Sequence, residues 1–404
     1  MTTPPILSAE AVRASAQAVL AAARAGRLGH VALHEDRLPV VADYVAETTR
    51  LNYPTLDIPF HARWRHFRAD GRDLWAELDR ATAWRSQRER VKAAYDLVVV
   101  SVLLDAGAGM GWRFEEPITR ARASKSEGLG LASFTMFREG LFSARLGEPL
   151  RVDAERLRTL SVGDLRRGFQ VGPDNPLVGL EGRTALLHRL GEELALRHPG
   201  KPESQRPSAL ADMFLDRLEA GAPLTAAEML AQVLRELGGI WPERAGAVPG
   251  CGDCWFHPEG APLGGHANAV AFHKLSQWLT YSLIEPLQWA GFTVEDIDGL
   301  TGLPEYRNGG LLLDLGALSL KDEADWSRRH DVSSPLVVEW RALTVALLDL
   351  LAPMVRARLG KSAGEMPLAR ILEGGTWSAG RRIAREKRAD GGPPLQIISD
   401  GTVF

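Results

Sequence analysis

Helical periodicity dominates this sequence. Apolar residues recur at three- and four-residue steps through most of its length, while the two-residue alternation of strands is sparse. Ser8 can cap a first helix whose apolar face is Val12, Ala16, Val19 and Leu20, and Gly26 supplies a left-handed stop. Further helices are expected near 37–50, 84–105, 126–142, 181–197, 206–220, 225–238, 268–290, 336–359 and 364–387. Thr225 followed by Glu228 is a capping box, in which hydroxyl and carboxylate satisfy backbone donors reciprocally. The best strand signal is the tail from Leu395 to Phe404, where Asp400-Gly401 is a turn pair. The expectation is a mainly α protein with a minor β element, including a C-terminal strand or hairpin.

Two stretches break the helical pattern. Residues 198–207 hold Pro199, Gly200, Pro202 and Pro207, and 242–265 is rich in Gly and Pro, so it reads as a long loop. With 404 residues, the chain can form an N-terminal helical lobe over 1–200 and a C-terminal lobe over 201–404 that carries a hairpin motif at 294–310, or one continuous domain. Lys and Arg number 48 against 51 Asp and Glu, a net charge of −3, which lacks the basic excess of a nucleic-acid binder. Cys251 and Cys254 are the only cysteines, too few for a disulfide framework. The first residues lack the order of a secretory signal, and no apolar run reaches the roughly 18 residues of a membrane span. A cytoplasmic protein with no membrane partner is expected.

Three constellations can carry chemistry. Cys251, Cys254 and His257, with a further His such as His266 or His273, have the ligand types of a zinc site; equally, Asp253, Trp255 and His257 can line a pocket. His61, Arg63 and Arg65 lie among aromatics, where a ring can stack and an anion can be held, or where aromatic anchors are buried beneath solvated Arg heads. The Gly-rich run from Asp105 to Gly111 follows a helix rather than a strand, so it reads as a helix C-cap and not as a phosphate loop.

The third constellation is the most informative. The helix expected over 268–290 carries Phe272, His273, Lys274, Gln277, Trp278, Tyr281 and Glu285, of which Lys274, Gln277 and Tyr281 share one face, as ligand contacts or as a solvated stripe. The segment 294–310 then carries Asp298 and Glu305 on either side of an apolar turn. Two such carboxylates can divide the work of cleaving a glycosidic bond; equally, Asp296 or Asp298 can cap a helix while Glu305 lies on the surface.

At this level of detail the chain resembles a known family. Leu104-Asp105-Ala106-Gly107-Ala108-Gly109, Asn175-Pro176-Leu177-Val178-Gly179-Leu180-Glu181-Gly182-Arg183, Phe272-His273-Lys274-Leu275-Ser276-Gln277-Trp278-Leu279-Thr280-Tyr281 and Ser399-Asp400-Gly401-Thr402-Val403-Phe404 resemble strings of the uracil-catabolism family long catalogued as a domain of unknown function. That resemblance implies a place in a pathway that opens the pyrimidine ring through ribosylurea. More distantly, Asp296-Ile297-Asp298-Gly299-Leu300-Thr301-Gly302-Leu303-Pro304-Glu305-Tyr306-Arg307 is similar to the motif of queuosine-salvage nucleotide hydrolases, whose helical fold is like that of DNA glycosylases. Here Glu305 stands where that family has Asp.

Together the resemblances imply an N-ribosyl hydrolase that cleaves the C1′–N bond of ribosylurea 5′-phosphate or a related breakdown nucleotide, without a cofactor. Glu305 and Asp298 would be the catalytic carboxylates. Lys274, with Arg63, Arg65 or Arg307, would bind phosphate, and His273, His257 or Tyr306 would reach the leaving urea. Two rival expectations are a metal-dependent amidohydrolase using Cys251, Cys254 and His257, and a non-catalytic partner of the pathway's ring-opening enzyme.

Overall fold

The structure, a computed structural model, describes residues 5–109 and 111–398. It is mainly helical with small two-stranded sheets, as the periodicity implied. Helices occupy Leu38–Asn52, Gln87–Leu103, Lys125–Arg138, Leu180–Arg197, Ala209–Glu219, Ala226–Leu237 and Pro335–Leu359, each close to its expected span, and Lys274–Trp289. Among the described residues no helix is long and apolar enough to cross a membrane.

The described residues divide into two compact units, 5–61, 243–277 and 296–398 in one, and 62–242 and 278–295 in the other. Both units draw on residues from either side of position 200.

In the first unit, the helix Ala9–Arg24 begins where the Ser8 side chain accepts the Ala11 N–H. Its apolar face, with Val12, Ala16, Val19 and Leu20 all buried, packs on the long helix Pro335–Leu359. At nearly full burial, each such Val or Leu contributes roughly 1.5–3 kcal/mol. The strand Val31–Leu33 pairs antiparallel with Leu318–Leu320, and Arg329–Asp331 pairs parallel with Gln396–Ile398. That last strand realises the described part of the C-terminal β element, while the Asp400-Gly401 turn and the terminal string lie outside the described residues.

The stretch 242–265 is not simply a loop. Cys254–Leu263 is a strand paired antiparallel with His266–Ala271, irregular between Phe256 and Leu263. Pro258, Gly260 and Pro262 read as loop because they break period-two alternation, but a two-stranded ribbon with bulges tolerates them. Its partner strand also occupies the first residues of the helix expected over 268–290, which starts only at Lys274.

The helical stretch expected over 364–387 is interrupted. Leu368–Ile371 passes into a π-helical turn over Leu372–Thr376 and then into the helix Trp377–Lys387. Gly374 and Gly375 make the turn possible: a Cβ on Gly374 would lie 2.8 Å from Ile58, and one on Gly375 would lie 2.7 Å from Val45. Single π turns of this kind concentrate at functional sites.

In the second unit, Gln87–Leu103 ends with Leu104 as its C-cap, so the Gly-rich run does terminate a helix. Buried Arg183 holds that run in place, donating to the carbonyls of Leu104, Ala106, Gly107 and Val178. Two of the strings that carry the family resemblance thus form one structural lock. The Thr225–Glu228 capping box is present with both reciprocal bonds.

Candidate functional site

Glu305 is the N-cap of the helix Tyr306–Asp314. Its Oε2 accepts the Arg307 N–H at 2.7 Å and its Oε1 accepts the Asn308 N–H at 2.6 Å. A carboxylate has about four acceptor positions, so a doubly capping Glu keeps lone pairs for another partner. The residue is 7 % exposed. Burial pushes its carboxyl above the ordinary range, against the two amide bonds and the electrostatic influence of Lys274 and His61. The helix N-terminus and its two amide donors favour the ionised form of this carboxylate against the cost of burial, and a fixed carboxylate of this kind can stabilise positive charge developing on a ligand.

The elements around Glu305 fit closely. A Cβ on Gly380 would lie 2.2 Å from the Arg307 carbonyl, and one on Gly309 would lie 2.6 Å from the Trp340 ring. Glycine at both positions lets the helix carrying the site approach its neighbours more closely than any side chain would permit.

Asp253 organises the opposite flank. Its carboxylate takes a bidentate pair from Arg341 at 2.8 and 2.7 Å, the Trp255 Nε1–H at 2.9 Å and the Lys274 N–H at 3.2 Å. Burial alone would raise the Asp253 carboxyl, but the Arg341 charge and these bonds prevail and hold it at about 2. Arg341 also lies 4.0 Å over the Phe272 ring and donates to the Pro304 carbonyl at 3.4 Å. One buried ion pair therefore ties the residue before Glu305 to the start of the Lys274 helix.

His273, buried just before that helix, has a left-handed φ of +48°. Its Nε2 lies 2.8 Å from the Ile6 carbonyl. Burial lowers its pKa, so the ring acts as a neutral structural group. Gln277 is likewise structural: its amide bonds Phe272 O, Thr301 N and Thr301 Oγ1, clamping the Leu-Thr-Gly-Leu segment. Arg307 donates to the Gly391 carbonyl and stacks 4.9 Å from the Tyr306 ring.

Asp298 has a different environment. Its Oδ2 pairs with Arg356 at 2.5 Å and its Oδ1 accepts the Leu368 N–H at 2.6 Å, while 36 % of its side chain is exposed. Both oxygens therefore hold the fold together. The alternative reading, in which one of the acidic residues caps a helix and the other faces solvent, applies with the two reversed: Glu305 is the buried cap and Asp298 the more exposed residue.

His61 is 4 % exposed, and its Nδ1 lies 2.8 Å from Glu373 Oε2. Glu373 sits in the π-helical turn and also accepts the Tyr53 hydroxyl at 3.3 Å, and the His61 ring is 5.7 Å from that of Trp377. No local pattern reveals this pair, because its members are 312 residues apart. The available signal was Glu373-Gly374-Gly375 inside a helical stretch, since each interior Gly costs roughly 1 kcal/mol and calls for a reason.

The proposed metal ligands are engaged elsewhere. His257 Nδ1 accepts the Glu259 N–H, and its Nε2 is 3.6 Å from Glu339, which also takes the N–H groups of Gly29, His30 and Val31. Cys254 is buried with its Sγ 3.5 Å from His273 Nε2, and burial pushes both cysteine thiols up. Among the described residues, no three His, Cys, Asp or Glu side chains gather as a ligand set.

In the second unit, Arg63 is fully buried. It pairs with Asp105 at 2.8 Å, bonds Ser101 Oγ and lies 5.4 Å from the Trp278 ring. Arg65 pairs with Glu285 at 2.5 Å. Neither is a solvated head, and each has a carboxylate partner within its own unit.

Residues 5–404 match the family described as "Protein of unknown function (DUF1688)". The chain is similar to Protein urg3 of Schizosaccharomyces pombe, 37 % identical over 100 % of this chain and 99 % of that protein. It is also similar to Uracil catabolism protein 4 of Lachancea kluyveri, 34 % identical over 94 % of this chain and 93 % of that protein.

Proposed function

The chain belongs to the DUF1688 family and is similar to a protein named Uracil catabolism protein 4, and on that premise we propose that it is an N-ribosyl hydrolase of uracil catabolism. Its substrate would be ribosylurea 5′-phosphate, or a closely related breakdown nucleotide, and its products urea and the sugar phosphate. The observation that carries this reading is the buried Glu305 carboxylate, held by two backbone N–H groups with Lys274 and His61 close enough to act on its charge. The distant likeness to queuosine-salvage hydrolases, and with it a DNA-glycosylase-like fold, agrees with this assignment.

Breaking a C1′–N bond passes through an oxocarbenium-like state, with positive charge on the ribose and a leaving nitrogen that needs a proton. A desolvated carboxylate beside C1′ stabilises the first. In this scheme that is Glu305, whose capped position requires no reorganisation as charge develops. The proton is the role of His61, whose Nδ1 is held by Glu373 as a carboxylate holds a catalytic imidazole. Lys274 offsets the carboxylate charge and can attract an anionic substrate. Asp298, bound to Arg356 and the Leu368 N–H, positions the segment rather than the substrate.

The test is to incubate the purified protein with ribosylurea 5′-phosphate and to follow urea and ribose 5-phosphate. Stoichiometric release of both supports the assignment. No release, or urea without free sugar phosphate, overturns it.

A further inference from the structure

The run from Leu368 to Lys387 is α-helical at both ends, and the π-helical turn Leu372–Thr376 interrupts it. Such turns are rare, so the contacts that hold this one matter. Gly374 and Gly375 bring bare backbone against Ile58 and against Val45 and Thr49, where a Cβ would lie 2.8 Å from the Ile58 side chain and 2.7 and 2.9 Å from the other two. The His61 N–H donates to the Ala369 carbonyl at 2.9 Å, just before the turn. One segment, 45–61, therefore holds both the turn and the residues that lead into it.

The same segment supplies two donors to Glu373 within the turn. His61 Nδ1 lies 2.8 Å from its Oε2, and the Tyr53 hydroxyl donates to its Oε1 at 3.3 Å. An ionised carboxylate only accepts, so Nδ1 carries the proton of the first bond. Tyr53 is the C-cap of the helix Leu38–Asn52, with its N–H on the Thr49 carbonyl at 2.8 Å. The end of the helix that meets Gly375 therefore also directs Tyr53 to Glu373. One donor fixes a carboxylate in distance only, because its terminal torsion is broad and two-fold. A donor on each oxygen also fixes its plane. At 3.3 Å the Tyr53 bond is long, as catalytic hydrogen bonds often are before substrate binds and draws them together.

We propose that Tyr53 is a positioning residue of the reaction: by holding Oε1 it turns the Glu373 carboxylate so that Oε2 faces the His61 ring, and the π turn places Glu373 within reach of both. Tyr53 acts through Glu373 on His61 and touches no reacting atom. This inference rests on His61 being the group that handles the proton in the hydrolase reaction.

Tyr53→Phe in the whole protein tests it, since phenylalanine keeps the ring and removes only the hydroxyl. Tyr44→Phe is the control: Tyr44 lies on the same helix, but its hydroxyl donates to Glu386 at 2.9 Å. One readout needs no substrate. In protein carrying isotope-labelled histidine, the Nδ1–H resonance of His61, identified by its absence from His61→Gln, should move upfield and exchange faster with water in Tyr53→Phe and stay in place in Tyr44→Phe. The second readout is turnover of ribosylurea 5′-phosphate. In Tyr53→Phe kcat should fall by about tenfold at unchanged KM, the equivalent of about 1.4 kcal/mol and of the order of one hydrogen bond. In a Glu373→Gln background the same substitution should cost nothing further. A His61 resonance unchanged in Tyr53→Phe, or changed equally in Tyr44→Phe, overturns the positioning role, as does a kcat loss that persists in full without the Glu373 carboxylate. The two proposals fail separately. A His61 resonance that depends on Tyr53, without turnover of ribosylurea 5′-phosphate, refutes the hydrolase alone, and turnover with both resonance and kcat indifferent to Tyr53→Phe refutes the positioning role alone.

Discussion

Arg341→Met is the most informative structural perturbation, because it removes one half of the ion pair that anchors both flanks of the site. In the wild type Asp253 is held at about 2, against an ordinary value of 3.8. At about 1.4 kcal/mol per pKa unit, that depression corresponds to about 2 kcal/mol of stability. The sign follows from the direction: the contribution is present above the unfolded value and is lost as pH falls through the folded one. Without Arg341, Asp253 remains buried with no cation, so desolvation prevails and its pKa moves above the ordinary range. The sign then reverses, and neutral pH becomes the destabilising condition. Breaking a buried pair in this way costs about 3–5 kcal/mol at pH 7.

Urea unfolding of wild type and Arg341→Met between pH 4 and 7 measures the effect. The stability gap should widen as pH rises, and adding Asp253→Asn to Arg341→Met should recover part of it at pH 7. Turnover should fall by about 10² even where the variant is folded, since displacing the Pro304–Glu305 segment by about 1 Å is enough for that loss. A gap below about 1 kcal/mol, or one independent of pH, would refute the reasoning.

Other outcomes follow from the same geometry. Asp298→Asn should cost at most about 1 kcal/mol in denaturant melts, as expected for a half-exposed pair, and leave turnover within about tenfold; loss of activity at unchanged stability would return Asp298 to the catalytic set. Gly380→Ala places a methyl 2.2 Å from the Arg307 carbonyl, so melting should show a loss of about 1–3 kcal/mol together with reduced activity. His61→Ala and Glu373→Gln should each lower kcat by about 10²–10⁴ and change its pH profile, and the double variant should be little worse than either, because the two residues act as one unit.

Helices were legible because their signals are local. The Ser8 cap, the Thr225–Glu228 box and the apolar stripe at Val12, Ala16 and Val19 each act within one or two turns. The ribbon Cys254–Leu263 with His266–Ala271 was not legible, since Pro258, Gly260 and Pro262 hide its alternation and its packing on the helix Ala9–Arg24 comes from tertiary structure. Glu305 stood out through its Pro-Glu-Tyr-Arg setting, but its neighbour in the motif, Asp298, is engaged by Arg356 and a backbone amide. The groups gathered nearer to Glu305 come from distant segments. His61 and Glu373 are separated by 312 residues, and Asp253 and Arg341 by 88, distances across which spacing carries no information.

The central claim is that Glu305 is the carboxylate that acts at C1′, and single-turnover release of urea from ribosylurea 5′-phosphate by Glu305→Gln tests it most directly. Glutamine keeps the size of the side chain and one capping acceptor, so the stability loss should be about 1 kcal/mol while the rate constant for C1′–N cleavage falls by at least about 10². Cleavage by folded Glu305→Gln at the wild-type rate would contradict the account.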